Sequence, residues 1–403
     1  MKQQYFQGLQ ELINKTGKFE IIGHDGICMR MGWVDHQPWE LIESGLKKFD
    51  EKTSPPAGGY DNFIFSAMGG SINAIKALKK IYNAQNIYTI DSLDPRAQAE
   101  LEGLKNVMVV AISKSGTTKE TLTLAQRLNK PTIWLKDKDG DLPIQFDGGN
   151  DIGGRYSAPE TMVFWAPLFL IMNRDLNKLK EIWTKFGEKR EEIIERMWTK
   201  GQELAEKKCQ YFQIDVNMAL ETWVTQLFEE SLGSKIADYF PKTIVGGPPV
   251  GGFTTIKLSE DTMEAMFEAQ VCVASIAHSL GIVFVNQPSV EKYKGIMRGE
   301  KFVQDIKVPI LAQKFVEVVN YGYMKEYPPV GGERENLKKE YQAKYPDKIV
   351  LVFEGSDWNH HSYQAAYGNP ETLFVLIDRG TDPILTDIAK ATYETLKGRA
   401  ELV

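Results

Sequence analysis

The sequence predicts an α/β fold, arranged as two three-layer α/β/α sandwich domains with mainly parallel sheets. Three observations predict it. Short β-branched apolar runs alternate with stretches whose apolar residues recur at helical spacing, as in parallel sheets covered by helices. The loops after these runs carry glycine and hydroxyl residues. A chain of 403 residues is also long enough for two or three domains.

The composition is that of an ordinary globular protein, with 42% hydrophobic and 25% charged residues. A net charge of −6, from 48 basic and 54 acidic residues, argues against a nucleic-acid partner. Cys28, Cys209 and Cys272 are widely spaced, which favours a reducing compartment over a disulfide framework or a zinc site. The N-terminus lacks a signal-peptide core, and the longest apolar run, Met162–Met172, is about half a membrane span. We therefore expect a soluble, cytoplasmic protein.

The first elements follow one another in a regular order. Residues 1–45 are predicted to form a partly helical segment, and a proline- and glycine-rich linker follows at 54–59. Short apolar runs then predict strands at 62–67, 86–91, 109–112 and 132–135, with helices at 72–81, 95–104 and from 119 onward.

The strand at 109–112 leads into the loop around which the other motifs are organised. The loop consists of Ser113, Lys114, Ser115, Gly116, Thr117 and Thr118. Because a helix follows, its first-turn N–H groups and its dipole favour a negatively charged ligand. Four hydroxyls can donate to phosphate oxygens, whereas the Gly-x4-Gly-Lys pattern of nucleotide-binding loops is absent. The loop predicts a phosphate site, and a helix N-capped by Thr118 or Thr117 is the alternative.

A second small loop, formed by Gly69, Gly70 and Ser71, follows the strand at 62–67. Ligands of parallel sheets lie at the carboxyl ends of the strands, so both loops are expected at the same edge. A Gly-Gly-Ser sequence alone is more often a tight turn. The prediction of a shared site therefore depends on the two loops together.

Later parts of the chain predict further α/β structure. Helices are predicted at 159–173, 176–208, 218–232, 262–280, after Pro288, around 309–343 and near 387–397, and strands at 348–353 and 372–378.

Four motifs occur in one order along the chain, namely SKSGTTKET, GGRYS, QLFEESLGSK and NQPSVEKYK. Together they resemble the glucose-6-phosphate isomerase (phosphoglucose isomerase) family, whose members contain two sugar-isomerase (SIS) domains. The resemblance covers roughly residues 60–296. It implies SIS domains over 45–185 and 200–380, after the N-terminal segment over 1–45, with a C-terminal helix over 381–403.

The resemblance implies roles for the two loops and for an arginine. The loop 113–118 would hold the sugar phosphate, while Gly70 and Ser71 would contact the substrate. Arg155, in a Gly-Gly-Arg turn, would stabilise the negative charge of an enediolate. The usual alternative for such a residue is an exposed surface arginine.

A pair of adjacent carboxylates carries the predicted base. Glu230 matches the family's base, because it immediately precedes the serine and follows Gln226 by four residues; Glu229 points elsewhere, since neighbours on a helix diverge by about 100°. Gln226 would share the face of Glu230 and touch the substrate. Lys294 matches the family's lysine near the ring oxygen and the C1 hydroxyl. The alternatives are a helix-surface acid and a solvated lysine.

A histidine opens the sugar ring in the family, normally between the base and the Gln-Pro-x-Val-Glu motif. Here that interval contains only His278, in a predicted helix. The segment Asp357–Gln364 resembles the family's histidine segment, and in that register His360 is the match and His361 its neighbour. This implies that part of the second domain is transposed in sequence. The alternatives are a polar loop or a chance pair of histidines, since no third ligand at metal spacing predicts a metal site.

The implied activity is aldose–ketose isomerisation of glucose 6-phosphate and fructose 6-phosphate through a cis-enediol(ate), as in glycolysis and gluconeogenesis. The resemblance implies no metal or cofactor, a homodimer, and neither a nucleic-acid nor a membrane partner. Two alternatives remain open. One is an isomerase of a mannose or amino sugar phosphate, which need not keep Gly-Gly-Arg or Gln-x-x-x-Glu. The other is a non-catalytic sugar-phosphate-binding protein, although no basic helix-turn-helix is evident.

Overall fold

The computed structural model describes residues 32–54, 59–149, 152–235, 237–285, 287–304, 306, 308, 312–325 and 332–403. Of the predicted N-terminal segment over 1–45, it describes a 3-10 turn at Gly32–Val34 and a helix that begins at Trp39. Cys28 lies outside the described residues.

The described residues form helices and parallel strands, which alternate along most of the chain. The strands are β1 Asn62–Ser66, β2 Ile87–Ile90, β3 Val107–Ile112, β4 Thr132–Leu135, β5 Tyr211–Asp215, β6 Lys242–Val245, β7 Thr254–Lys257, β8 Phe315–Tyr321, β9 Ile349–Glu354, β10 Thr372–Asp378 and β11 Ala400–Leu402. The helices are α1 Trp39–Thr53, α2 Gly70–Ile81, α3 Pro95–Glu102, α4 Lys119–Leu128, α5 Met162–Ile171, α6 Leu176–Glu206, α7 Glu221–Leu232, α8 Thr262–Leu280, α9 Val290–Met297, α10 Glu333–Lys344, α11 Tyr363–Ala366 and α12 Pro383–Thr395. The strands form three parallel sheets, which confirms the predicted α/β class.

The first sheet has the strand order β2-β1-β3-β4. β3 is buried along its whole length, as expected of a central strand covered on both faces, whereas buried and half-buried residues alternate along the edge strand β4. Ser66 pairs with Ala111, so β1 and β3 end at the same level. This register brings the loops after both strands to one edge of the sheet.

The second sheet has the order β6-β5-β7, and the third has the order β11-β10-β8-β9. β8 is buried throughout and pairs with β10 over seven residue pairs, from Phe315 with Thr372 to Tyr321 with Asp378. Aspartates cap several helices; the Asp261 carboxylate, for example, accepts hydrogen bonds from the backbone of Met263 and begins α8.

The chain divides into two compact units, and neither is continuous in sequence. The first consists of Met1–Asp91, Leu104–Leu232 and Pro241–Asn286, and it holds the first two sheets. The second consists of Ser92–Gly103, Gly233–Phe240 and Gln287–Val403, and it holds the third sheet together with α3. The predicted domain bounds, 45–185 and 200–380, follow a different division and stay a prediction.

Two predicted helical stretches are wrong in part. The range 309–343 contains the strand β8, whose apolar residues are interrupted by Glu317 and Asn320, three positions apart as on a helix face. Both polar side chains are nevertheless buried, Glu317 accepting a hydrogen bond from the Trp358 indole. The C-terminal stretch over 381–403 is helical only until Thr395, after which β11 adds an edge strand beside β10.

Candidate active site

The loop 113–118 is held together by its own hydroxyls. The Ser113 hydroxyl is buried and donates to the Thr118 hydroxyl at 3.1 Å, while the hydroxyls of Ser115 and Thr117 lie 2.7 Å apart on the exposed side. Gly116 adopts φ of +70°, a left-handed conformation that favours glycine. The loop therefore presents two exposed hydroxyls at a sharp turn.

Thr118 occupies the N-cap position of α4, as one of the predicted alternatives has it, but its hydroxyl accepts from Ser113. A capping hydroxyl would instead accept from the first helical turn. The first turn of α4 thus lacks the usual side-chain cap from Thr118, at the place where its dipole favours an anion. This geometry suits the predicted phosphate site.

One lysine lies within this loop and a second lies beside it. The ammonium of Lys114 donates to the carbonyl of Ile152 and lies 3.9 Å from the Asp137 carboxylate. Lys136, the first residue after β4, runs along Gly116; a Cβ added there would meet its Cδ at 3.2 Å and its Nζ at 3.7 Å. The Lys136 ammonium also stacks on the Trp134 ring, 4.3 Å from its centroid. Lys136 was not among the predicted residues, although its position after an edge strand could have indicated it.

The second loop closes tightly on the segment that carries Arg155. Gly70 and Ser71 are the first two residues of α2, at the carboxyl end of β1. A Cβ on Gly70 would lie 2.5 Å from the Cα of Arg155 and 2.8 Å from the carbonyl oxygen of Gly154. Only glycine fits this approach, so the loop after β1 fixes the backbone of Arg155.

Arg155 is almost fully buried, 6% exposed, and each of its three guanidinium nitrogens contacts an oxygen acceptor. It forms an ion pair with Glu230 (Nη1 to Oε1, 3.0 Å), donates from Nε to the Ser231 hydroxyl (2.9 Å) and donates from Nη2 to the Phe284 carbonyl (2.6 Å). These contacts orient the arginine on the carboxylate predicted as the base. It is not the exposed surface arginine of the alternative interpretation.

Glu230 also accepts from the amide of Gln226, one turn earlier on α7, at 2.9 Å. The Gln226 carbonyl oxygen in turn accepts from the amide of Asn73 on α2 at 3.0 Å, which fixes the orientation of the Gln226 side chain. Glu230 is 4% exposed. Because an ionised carboxylate only accepts hydrogen bonds, two donors aimed at it suit its charged form.

The neighbouring carboxylate has a different environment. Glu229 accepts from the backbone N–H of Thr243 at 2.9 Å and lies 3.6 Å from the Lys242 ammonium, with both charged side chains fully buried. Glu229 thus faces β6, while Glu230 faces Arg155. The two adjacent acids diverge as predicted from helix geometry.

Tyr156 contacts the Arg155–Glu230 pair indirectly, through Ser231. Its hydroxyl donates to the Ser231 hydroxyl at 3.3 Å, and its backbone carbonyl accepts from the Gln270 amide. Burial raises the pKa of Tyr156, so its hydroxyl stays protonated and can donate the hydrogen bond to Ser231. Asn73, Tyr156 and Ser231 were not predicted, because their roles depend on contacts between distant segments.

The remaining predicted residues belong to the second unit. Lys294 is half-buried on α9 and forms no ion pair with any described residue. His360 is half-buried at the end of a 3-10 turn, whereas His361 is 1% exposed, with Nδ1 2.7 Å from the Ser362 hydroxyl and Nε2 3.7 Å from Asp357. The structure therefore groups Arg155, Gln226 and Glu230 within the first unit, and the roles of Lys294 and His360 stay predictions.

Within the part of the chain that the structure describes, no group of three or more His, Cys, Asp or Glu side chains could hold a metal ion. No helix over those residues is both long and apolar enough to cross a membrane.

No protein-family model and no curated protein sequence matches the chain. Solved structures do resemble it. A hypothetical protein from Thermus thermophilus is 18% identical, with a TM-score of 0.52, over 74% of this chain and 94% of that one. A proposed phosphosugar isomerase from Clostridium difficile is 11% identical (TM-score 0.47; 68% of this chain, 99% of that one). The C-terminal domain of glucosamine-fructose-6-phosphate aminotransferase from Francisella tularensis is 12% identical (TM-score 0.38; 93% and 98%). At these identities the likeness concerns the fold.

Proposed function

We propose that this protein is a sugar-phosphate isomerase that interconverts glucose 6-phosphate and fructose 6-phosphate. The observation that carries the proposal is the buried group in which Glu230 accepts from both Arg155 and Gln226. The loop 113–118 supports it, since two exposed hydroxyls and a helix N-terminus suit a sugar phosphate.

In the proposed reaction, the Glu230 carboxylate removes the proton from C2 of the open aldose, whose carbonyl accepts the electron pair as an enediolate. Arg155 then stabilises the negative charge that develops on the oxygen. Glu230 then returns the proton to C1 while the hydroxyl proton on the C2 oxygen passes to the C1 oxygen, so that C2 becomes the carbonyl of the ketose and the Glu230 carboxylate is restored. Gln226 holds the carboxylate in place through its amide. Ring opening is proposed to use His360 with Lys294.

The assay measures formation of glucose 6-phosphate from fructose 6-phosphate, with and without a chelator. Mannose 6-phosphate and glucosamine 6-phosphate in parallel reactions test the alternative substrates. Glu230→Gln keeps the shape and removes the base, so turnover should fall by about 10²–10⁴. The matched control is Glu229→Gln, which should lower the stability by weakening the contact with Lys242 but spare the turnover of folded enzyme. An active Glu230→Gln enzyme would reject the assignment.

A non-catalytic sugar-phosphate-binding protein is the second candidate, favoured by the low exposure of Glu230 and its close pairing with Arg155. In that case the wild-type chain binds fructose 6-phosphate through the loop 113–118 but forms no glucose 6-phosphate. Equilibrium binding measured beside the activity assay distinguishes the two.

We also propose that the protein is a cytoplasmic homodimer with no nucleic-acid or membrane partner and that it acts in glycolysis and gluconeogenesis. The family resemblance supports the dimer and the pathway, and the spacing of the cysteines supports the reducing compartment. Light scattering at micromolar concentration tests the oligomeric state.

A further inference from the structure

The first and third sheets share one strand order. Read from one edge, the order by appearance in the chain is second, first, third, fourth in both, as β2-β1-β3-β4 and β9-β8-β10-β11. The chain therefore changes direction across the sheet between β1 and β3, and again between β8 and β10. Ligands of open parallel sheets bind outside the carboxyl ends of the strands at such a switch point. In the first sheet, the predicted phosphate loop lies there.

A cavity of about 460 Å³ lies at the corresponding place of the third sheet, and this volume is typical of a small-molecule site. Arg379 and Thr381 line it directly after β10, and Glu333 and Glu340 line it from one face of α10. Arg96, in the first turn of α3, completes the wall. All these residues belong to the second unit.

Arg96 is held in a fixed position. Its guanidinium makes an ion pair with Asp94, whose side chain is fully buried, at 2.9 Å, and donates to the Tyr323 carbonyl at 2.7 Å. Glu333 lies 3.2 Å away. These partners preorganise one cation at the cavity wall and largely neutralise its charge.

Arg379 provides a second cation, whose guanidinium can donate further hydrogen bonds. Its Nε donates to the side-chain oxygen of Asn320 on β8, at 2.6 Å, so the guanidinium bridges the switch point. Its terminal nitrogens form no ion pair with any described residue, and the residue is exposed. The Thr381 hydroxyl oxygen, by contrast, is buried and has no hydrogen-bond partner among the described residues. A buried polar atom without a partner is uncommon, and a bound water or ligand is one way of satisfying it.

The helix N-terminus at this switch point is already occupied. The Asp382 carboxylate accepts from the backbone N–H of Ile384 at 2.8 Å and caps α12. An anion in the cavity would therefore bind Arg379 and Thr381 rather than the helix. The carboxylates of Glu333 and Glu340 on the opposite wall can accept from ligand hydroxyls.

We propose that this cavity is a second ligand site, which binds a small hydroxylated phosphate ester through Arg379 and Thr381. The phosphate would accept from the guanidinium and the threonine hydroxyl, and the ester's hydroxyl groups would donate to Glu333 and Glu340. The proposal concerns binding and does not depend on the isomerase activity.

The test is isothermal titration of the full chain with sorbitol 6-phosphate, a phosphate ester that lacks a carbonyl and cannot be isomerised. A chain with Ser115→Ala and Thr117→Ala, in which binding at the phosphate loop is weakened, isolates the second site. We expect one binding event to persist there, and Arg379→Gln or Thr381→Val to raise its Kd at least tenfold. Arg298→Gln removes an exposed arginine elsewhere in the second unit and serves as the control.

Loss of all binding in the Ser115 and Thr117 variant would overturn the proposal, as would a Kd that neither Arg379→Gln nor Thr381→Val changes. Inorganic phosphate, titrated in parallel, should bind at least tenfold more weakly than the ester. Equal affinity for both would contradict the part played by Glu333 and Glu340. Thr381→Val retains the contact between Arg379 and Asn320, so it tests the site even if Arg379→Gln unfolds.

Discussion

Replacing Gly70 with alanine tests whether the close approach between the two loops positions Arg155. The added Cβ would lie 2.5 Å from the Arg155 Cα and 2.7 Å from its nitrogen. Carbon atoms in contact prefer about 3.5–4.0 Å, so one backbone must move by about 1 Å. Because the close contacts are all with backbone atoms of Gly154 and Arg155, no flexible side chain can move aside.

A shift of about 1 Å would stretch the 3.0 Å pair between Arg155 and Glu230 beyond hydrogen-bond reach. Misplacement of a catalytic group by this amount can cost about 10² in rate, and overpacking costs about 1–3 kcal/mol of stability. We therefore expect kcat for fructose 6-phosphate to fall about 10²-fold and the free energy of unfolding to fall by about 1–3 kcal/mol.

The coupled isomerase assay gives kcat and KM, and denaturant unfolding gives the stability. Gly103→Ala is the matched control, because a Cβ there meets nothing within 4 Å and its φ of −73° suits alanine. It should behave as the wild type in both measurements. Wild-type kcat and stability in Gly70→Ala would show that the contact relaxes at no cost and would refute the reasoning.

Three further predictions concern the loop, its lysine and the histidines. Ser115→Ala combined with Thr117→Ala should raise KM for fructose 6-phosphate at least tenfold while thermal unfolding stays unchanged, because each lost donor to a dianion costs about 1.5–3 kcal/mol; an unchanged KM would reject the phosphate site. Lys136→Gln should raise KM severalfold with kcat retained, whereas Lys130→Gln, at the opposite end of the same strand, should not; equal effects would exclude a local role. His360→Ala should slow turnover of the cyclic sugar but spare proton exchange at C2 of an open-chain substrate, and His361→Ala should mainly lower the melting temperature, since that ring is buried.

The sequence predicts the first sheet well, because its strands are short apolar runs between helices with clear apolar faces. β4 and β10 begin and end where they were predicted, and so does α8. The strands β5 to β7 were not predicted. β5, YFQID, ends in polar residues, and its buried Gln213 donates to the carbonyl of Gly246 in the loop after β6, a contact that composition cannot reveal.

For the candidate site, sequence reasoning identified the residues that follow a local rule. Gln226 and Glu230 lie one turn apart on a helix, and their contact follows from that spacing. The partners Ser231 and Phe284 depend on how separate segments pack around Arg155, which one sequence without relatives does not encode in any local pattern. The Gly-Gly-Arg sequence also does not show that the Arg155 side chain is buried.

The discontinuity of the two units has a consequence for biosynthesis. A ribosome makes the chain from its N-terminus, and every segment of the first unit has been made once Asn286 has emerged. The second unit must wait for its last segment, although α3 was made long before. Until then Arg96 of α3 lacks the Tyr323 carbonyl and Glu333, to which it is bound in the finished protein, and β8 lacks its neighbour β10. Such a nascent chain is a candidate for chaperone binding, and no single cut can release either unit intact.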